Sequence, residues 1–183
     1  LDAGARAGDG PPRVAALAVA EKDSAVRASI SGTSAWITLP CRFADKASEQ
    51  RDRSYFEQMY GNTPGRLDHF WREVSFGAVS IDGQAIDWVQ LPYPQAHYAS
   101  TPGSGSSADK TALFTDCVAA AEDQVDFGNS GNPYDGINMM FNDTLDCCAW
   151  GGNRYTTLDG VSKSWRVTWN PPWAFTNETV IAH

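Results

Sequence analysis

The sequence predicts an α/β fold, a twisted mixed β-sheet covered by helices, and three observations predict it. INMMF (Ile137–Phe141) is a continuous apolar run of strand length, the type found where both faces of a sheet are covered. SAWITLPC (Ser34–Cys41) carries Trp36, Ile37, Leu39 and Cys41 in a second run that suits a buried strand. Between the two, Phe114, Val118, Ala121 and Val125 recur at helical spacing. Strands alternating with helices that must bury one face give a layered α/β domain.

Along the chain, residues 1–33 are rich in Ala, Gly, Ser and charge and read as a linker or the tail of a preceding region, with one short strand near Val14–Val19. Residues 34–183 form the organised part. After the Ser34–Cys41 strand, RSYFEQMYG predicts a short helix with Phe56, Met59 and Tyr60 inward and Gly61 as its stop. Thr63 and Pro64 suit the cap and first position of the next helix, which places Leu67, Phe70, Trp71 and Val74 in one stripe and ends at Gly77. AVSIDGQAIDWVQLP reads as a hairpin turning at Asp82-Gly83, because both positions of such a turn need positive φ.

From Pro92 to Ser107 the Pro, Gly and Ser content predicts a loop. Asp109 then caps the longest helix, and GNSGNPYDG is a turn cluster leading into INMMF. A Gly-, Asn- and Trp-rich stretch to Asp159-Gly160 reads as loop, and SWRVTW (Ser164–Trp169) as strand. In NPPWAFTNETVIAH, Thr176 or Asn177 caps a helix whose apolar face begins at Val180 and Ile181, with no stop signal before His183.

Composition bounds the function. A chain of 183 residues with 42% hydrophobic and 20% charged residues suits one soluble globular domain. Its net charge of −8 argues against nucleic acid as the main partner, since a polyanion would be repelled. No apolar run approaches the roughly 20 residues of a membrane span. The chain begins with Leu, so an export signal is expected upstream of it. Cys41, Cys117, Cys147 and Cys148 suffice for one or two bridges. Adjacent cysteines do not easily bond to each other, so Cys147 or Cys148 is expected to reach Cys117 or Cys41. Buried free thiols are the alternative.

Chemistry-bearing residues are sparse. His69, His97 and His183 never pair at i, i+4. GSGSS (Gly103–Ser107) lacks the strand-to-helix context of a nucleophile elbow. Asp126, Asp135, Asn142, Asp143 and Asp146 offer hard oxygens, but not at EF-hand spacing, and read as solvated loop groups rather than calcium ligands. The sequons at Asn142 and Asn177 are short enough to arise by chance. Trp150, Trp165, Trp169 and Trp173 fit core packing first, and otherwise a sugar-stacking platform of a carbohydrate-binding or adhesive module, or the wall of a substrate cleft.

One resemblance gathers these pieces. WITLPCRFAD, RLDHFWREVSFG, INMMF and WNPPWAFTNETVIAH stand in an order that resembles immune-inhibitor-A-type zinc metallopeptidases. FWREVSFGAVSIDG and the closing TVIAH carry most of the likeness, which spans roughly residues 34–183. It implies the N-terminal subdomain of a zincin, with a TVIA-like stretch leading into His-Glu-x-x-His on a helix. His183 would then be the first zinc ligand, because two histidines one turn apart face the same way and grip one ion. The glutamate, the second histidine and the third ligand would come after His183. The resemblance implies a secreted endopeptidase acting on a protein or peptide substrate, with the 183-residue chain itself inactive. Another extracellular α/β hydrolase, with its active residues downstream, is the remaining reading.

Overall fold

INMMF forms the centre of the fold. Every residue of its strand is buried, as a strand covered on both faces requires. The computed structural model describes residues 31–100 and 108–182. The expected strand near Val14–Val19, most of the 1–33 linker, the Gly103–Ser107 stretch and His183 lie outside them.

Six strands make one mixed sheet: β1 (Gly32–Arg42), β2 (Val79–Ala85), β3 (Val89–Gln90), β4 (Gly136–Phe141), β5 (Trp150–Leu158) and β6 (Val161–Asn170). Their spatial order is β2-β1-β4-β6-β5, with β3 paired to the end of β1. The β1–β2, β1–β3, β1–β4 and β4–β6 pairs are parallel, and β5 alone runs antiparallel, against β6. The helices are α1 (Arg53–Gln58), α2 (Leu67–Val74), α3 (Gln95–Tyr98), α4 (Lys110–Ala121) and α5 (Glu178–Ala182).

Alternation divides the side chains between two faces. Ile37, Leu39 and Cys41 of β1 share one face with Ile137 and Met139 of β4 and with Trp165 and Val167 of β6, and form the larger core with α4. Asp109 caps α4 as expected, accepting the amides of Thr111 and Ala112 at 3.0 and 2.9 Å. The other face holds a smaller core in which Phe56, Met59, Tyr60, Leu67 and Phe175 meet Ala85, Met140 and Ala182. A disulfide from Cys41 on β1 to Cys117 on α4 staples the first layer. The sequence separation of 76 residues makes its chain-entropy contribution about 4 kcal/mol.

The structure departs from the sequence reading at several places. Residues 79–85 are one continuous strand parallel to β1, not a hairpin. Gly83 has no positive φ there; it is glycine because the Tyr60 ring lies where its Cβ would be, at 2.4 Å. The hairpin turn stands instead at Asp159-Gly160, where φ is 46° and 78°, and the stretch before it is β5, not a loop. Helix α2 begins at Leu67, because Gly65 at φ 84° and the extended Arg66 keep Thr63 and Pro64 out of it. Val74, expected in its apolar stripe, is exposed. The Pro92–Ser107 loop contains the short helix α3.

A further correction concerns the cysteines. With Cys117 bound to Cys41, Cys147 and Cys148 bond to each other across a Cα–Cα distance of 3.7 Å. The backbone around them is gathered by Asp146, whose carboxylate accepts the amides of Ala108 and Cys148, both at 3.1 Å. No cysteine is free.

Candidate functional site: a cleft on the open half of the sheet

Helices α1 and α2 pack over β2, and α1 also on β1, with α5 against α2, while among the described residues no helix packs as closely on the same face of β6 and β5. Between the two halves lies a cleft of about 1220 Å³. Its far wall is α5, with Thr179, Val180, Ile181 and Ala182 along it, and Leu67 and Trp71 of α2 lie beside them. Asn177 starts α5, its side chain accepting the Val180 amide at 3.3 Å. Ala182 is buried in the smaller core and Ile181 packs against it, so α5 is seated on the sheet by its apolar side as the sequence predicted.

The floor is a polar ladder inside an apolar fold. Asn138 stands in the middle of INMMF yet is 2% exposed, so its amide must be satisfied internally. Its Nδ2 donates to Thr38 Oγ1 at 3.2 Å. Its Oδ1 accepts from Thr168 Oγ1 and Asn170 Nδ2, each at 2.7 Å. Thr38 Oγ1 also lies 2.7 Å from the Tyr60 hydroxyl, whose pKa burial pushes up to about 12. The phenol therefore stays neutral and keeps its proton to share. In the next row, Trp36 lies across Gly136, where a Cβ would fall 2.5 Å from the indole, and Arg166 stands on the opposite side of that glycine.

Cys147, Cys148 and Trp150 line the cleft at the start of β5, and Trp173 lines it before α5; Trp150 pairs with Trp169, so its indole turns toward the α4 face. Asp146 Oδ1 accepts the Trp150 indole N–H at 2.8 Å, and Lys110 Nζ lies 4.4 Å from the centre of that ring. Burial works against the charge on Asp146. Its donors Trp150, Ala108 and Cys148, with Lys110 nearby, outweigh that and hold the carboxyl below the ordinary range. The outer edge of β5 pairs with no strand among the described residues. The opposite edge is partly closed, since Asp68 of α2 accepts the Ile81 amide of β2 at 2.9 Å.

The residues singled out from sequence are distributed otherwise. His69 lies 3.4 Å from Glu73 on α2, and His97 stacks on Tyr93 with ring centres 4.2 Å apart; neither lines the cleft. Trp165 and Trp169 are buried in the larger core, so the four tryptophans do not form a stacking platform. Trp150 and Trp173 alone of the four are exposed, both on the cleft. The carboxylates are committed to protein partners: Asp126 to Ser130, Asp135 to Ala35, Asp143 to Lys46. Asp146 and Asn142 are buried rather than solvated, and Asn142, holding Phe43, Lys46 and Ser48, is no accessible sequon.

Among the described residues no three His, Cys, Asp or Glu side chains form a group able to hold a metal ion, and none of the helices is long and apolar enough to cross a membrane. Sequence reasoning missed the ladder, although its signal was present. A lone Asn inside INMMF, and Arg166, Thr168 and Asn170 alternating with Trp165, Val167 and Trp169, place polar groups on one buried face. No family model matches this chain, and no curated protein matches it.

Proposed function

We propose that this chain is the upstream part of the catalytic domain of a secreted zinc-dependent endopeptidase, and that the cleft receives its peptide substrate. One observation carries the reading: α5 forms a wall of the cleft, and the position after its buried Ala182 is His183, the residue to which the family likeness assigns the first zinc ligand. A helix prolonged from Ala182 would carry its ligands along the substrate-binding face.

Two further features agree with it. The open edge of β5 offers unpaired backbone groups beside the cleft, to which an extended peptide can add as another strand. Two disulfides suit an oxidising, extracellular setting. Arg166, Trp36 and Trp71 line the cleft and would contact a peptide, while the buried ladder of Thr38, Asn138 and Asn170 is spent on its own hydrogen bonds and shapes the floor. The described residues assemble no ligand set for zinc. Zinc and the general base would therefore depend on His183 and on residues beyond it.

The test compares this chain with the protein extended through the residues encoded after His183, each assayed on an unfolded protein substrate with and without a chelator. The longer protein is expected to hold a single zinc and to cleave, with both properties lost in His183→Ala. The 183-residue chain is expected to do neither. Chelator-sensitive cleavage by the 183-residue chain, or metal-free cleavage by the longer one, overturns the proposal.

A further inference from the structure

The two disulfides have opposite surroundings. Cys41 and Cys117 are 0% exposed inside the larger core, whereas Cys147 is exposed and Cys148 half-buried, both lining the cleft. The first closes a long stretch of chain. The second joins neighbours and removes almost no freedom from the unfolded chain, so global stability does not account for it. Its effect is local. The Cys148 amide and the Trp150 indole N–H both donate to Asp146 Oδ1, and Asp146 Oδ2 accepts from Ala108 at the head of α4. The disulfide ring, the carboxylate and the indole form one assembly at the start of β5, where Cys147, Cys148 and Trp150 line the cleft.

We propose that Cys147–Cys148 is a redox-operated clasp on the cleft. As a disulfide it holds the Asp146–Trp150 rim in place; reduced by a dithiol, it releases the rim while the rest of the fold stands. The proposal goes beyond the peptidase reading and does not rest on it. A thiolate of the dithiol attacks the exposed Cys147 sulfur, the Cys147–Cys148 bond breaks, and Cys148 leaves as a thiolate that takes up a proton. The second thiol of the reductant then attacks its own sulfur bound to Cys147 and expels Cys147, which is protonated in turn. Two electrons and two protons pass to the protein, and the dithiol becomes a cyclic disulfide. Burial denies the same attack to Cys41–Cys117 until the core opens.

Dithiothreitol titration of the oxidised protein, with alkylation and peptide mass spectrometry, reads the order of reduction. Amide exchange and tryptophan emission read the rim. Cys147 and Cys148 are expected to label at dithiol concentrations about tenfold or more below those that label Cys41 and Cys117. Amide exchange across residues 147–152 should quicken about tenfold, with α4 and β4 unchanged. The emission change that accompanies reduction should vanish in Trp150→Phe. The Cys147→Ser, Cys148→Ser protein should show the faster exchange without reductant and respond no further. Labelling of all four cysteines together with unfolding, reduction of the pair with unchanged exchange, or free thiols at 147 and 148 in the oxidised protein would each overturn the proposal.

Discussion

Gly83 and Gly151 both sit in strands, yet only one of them needs to be glycine. A Cβ at Gly83 would lie 2.4–2.5 Å from the Tyr60 ring, and that ring cannot retreat while its hydroxyl is bound to Thr38 at 2.7 Å. A Cβ at Gly151 meets nothing within 4 Å. Gly83→Ala is therefore expected to destabilise the fold by about 1–3 kcal/mol through overpacking, and Gly151→Ala to leave it nearly unchanged, as read by denaturant unfolding. Asp146 supplies a second prediction at this scale. Its carboxyl is held below the ordinary range, so the stability it contributes is present above about pH 4 and is lost as the pH falls through its folded value. In acid titration followed by Trp150 emission, the rim should loosen below about pH 4. Asp146→Asn, which keeps the shape but not the charge, should flatten that response; an unchanged acid profile would show that the carboxylate does not hold the rim.

Among the elements, legibility depended on whether a short sequence carried its own physics. INMMF, SWRVTW and the Asp109-headed helix were readable because burial period and side-chain capping are local properties. The two Asp-Gly pairs were not distinguishable. Asp159-Gly160 turns a hairpin with both φ positive, while Asp82-Gly83 runs straight in β2 because a ring from α1's end packs on the glycine, a tertiary fact absent from the dipeptide. β5 escaped notice because an edge strand with one open side lacks the apolar alternation that marks a half-buried one. The cysteine pairing was likewise decided by tertiary placement, β1 and α4 bringing Cys41 to Cys117. That staple should be worth about 2–5 kcal/mol: removing it as Cys41→Ala, Cys117→Ala should lower the unfolding free energy by that amount in thermal or denaturant melts. A loss below about 1 kcal/mol would mean the two layers hold together without it.

At the scale of the whole molecule, the sheet is finished on one half and open on the other. The larger core lies under α4, the smaller core reaches α5, and on that second face β1, β4 and β6 carry a polar ladder beside the cleft. Within an acidic chain of net charge −8, Arg166 is a cation that lines the cleft. Of the cleft, only the α5 wall was legible in the sequence, through the apolar Val180 and Ile181, because the ladder is assembled from β1, β4 and β6 and no segment contains it. The reading of the cleft as a substrate site turns on the residues that prolong α5. Sequencing the message beyond His183 tests it most directly: the next residue is expected to be glutamate, with histidine three positions later, and a stop or any other continuation contradicts the peptidase reading.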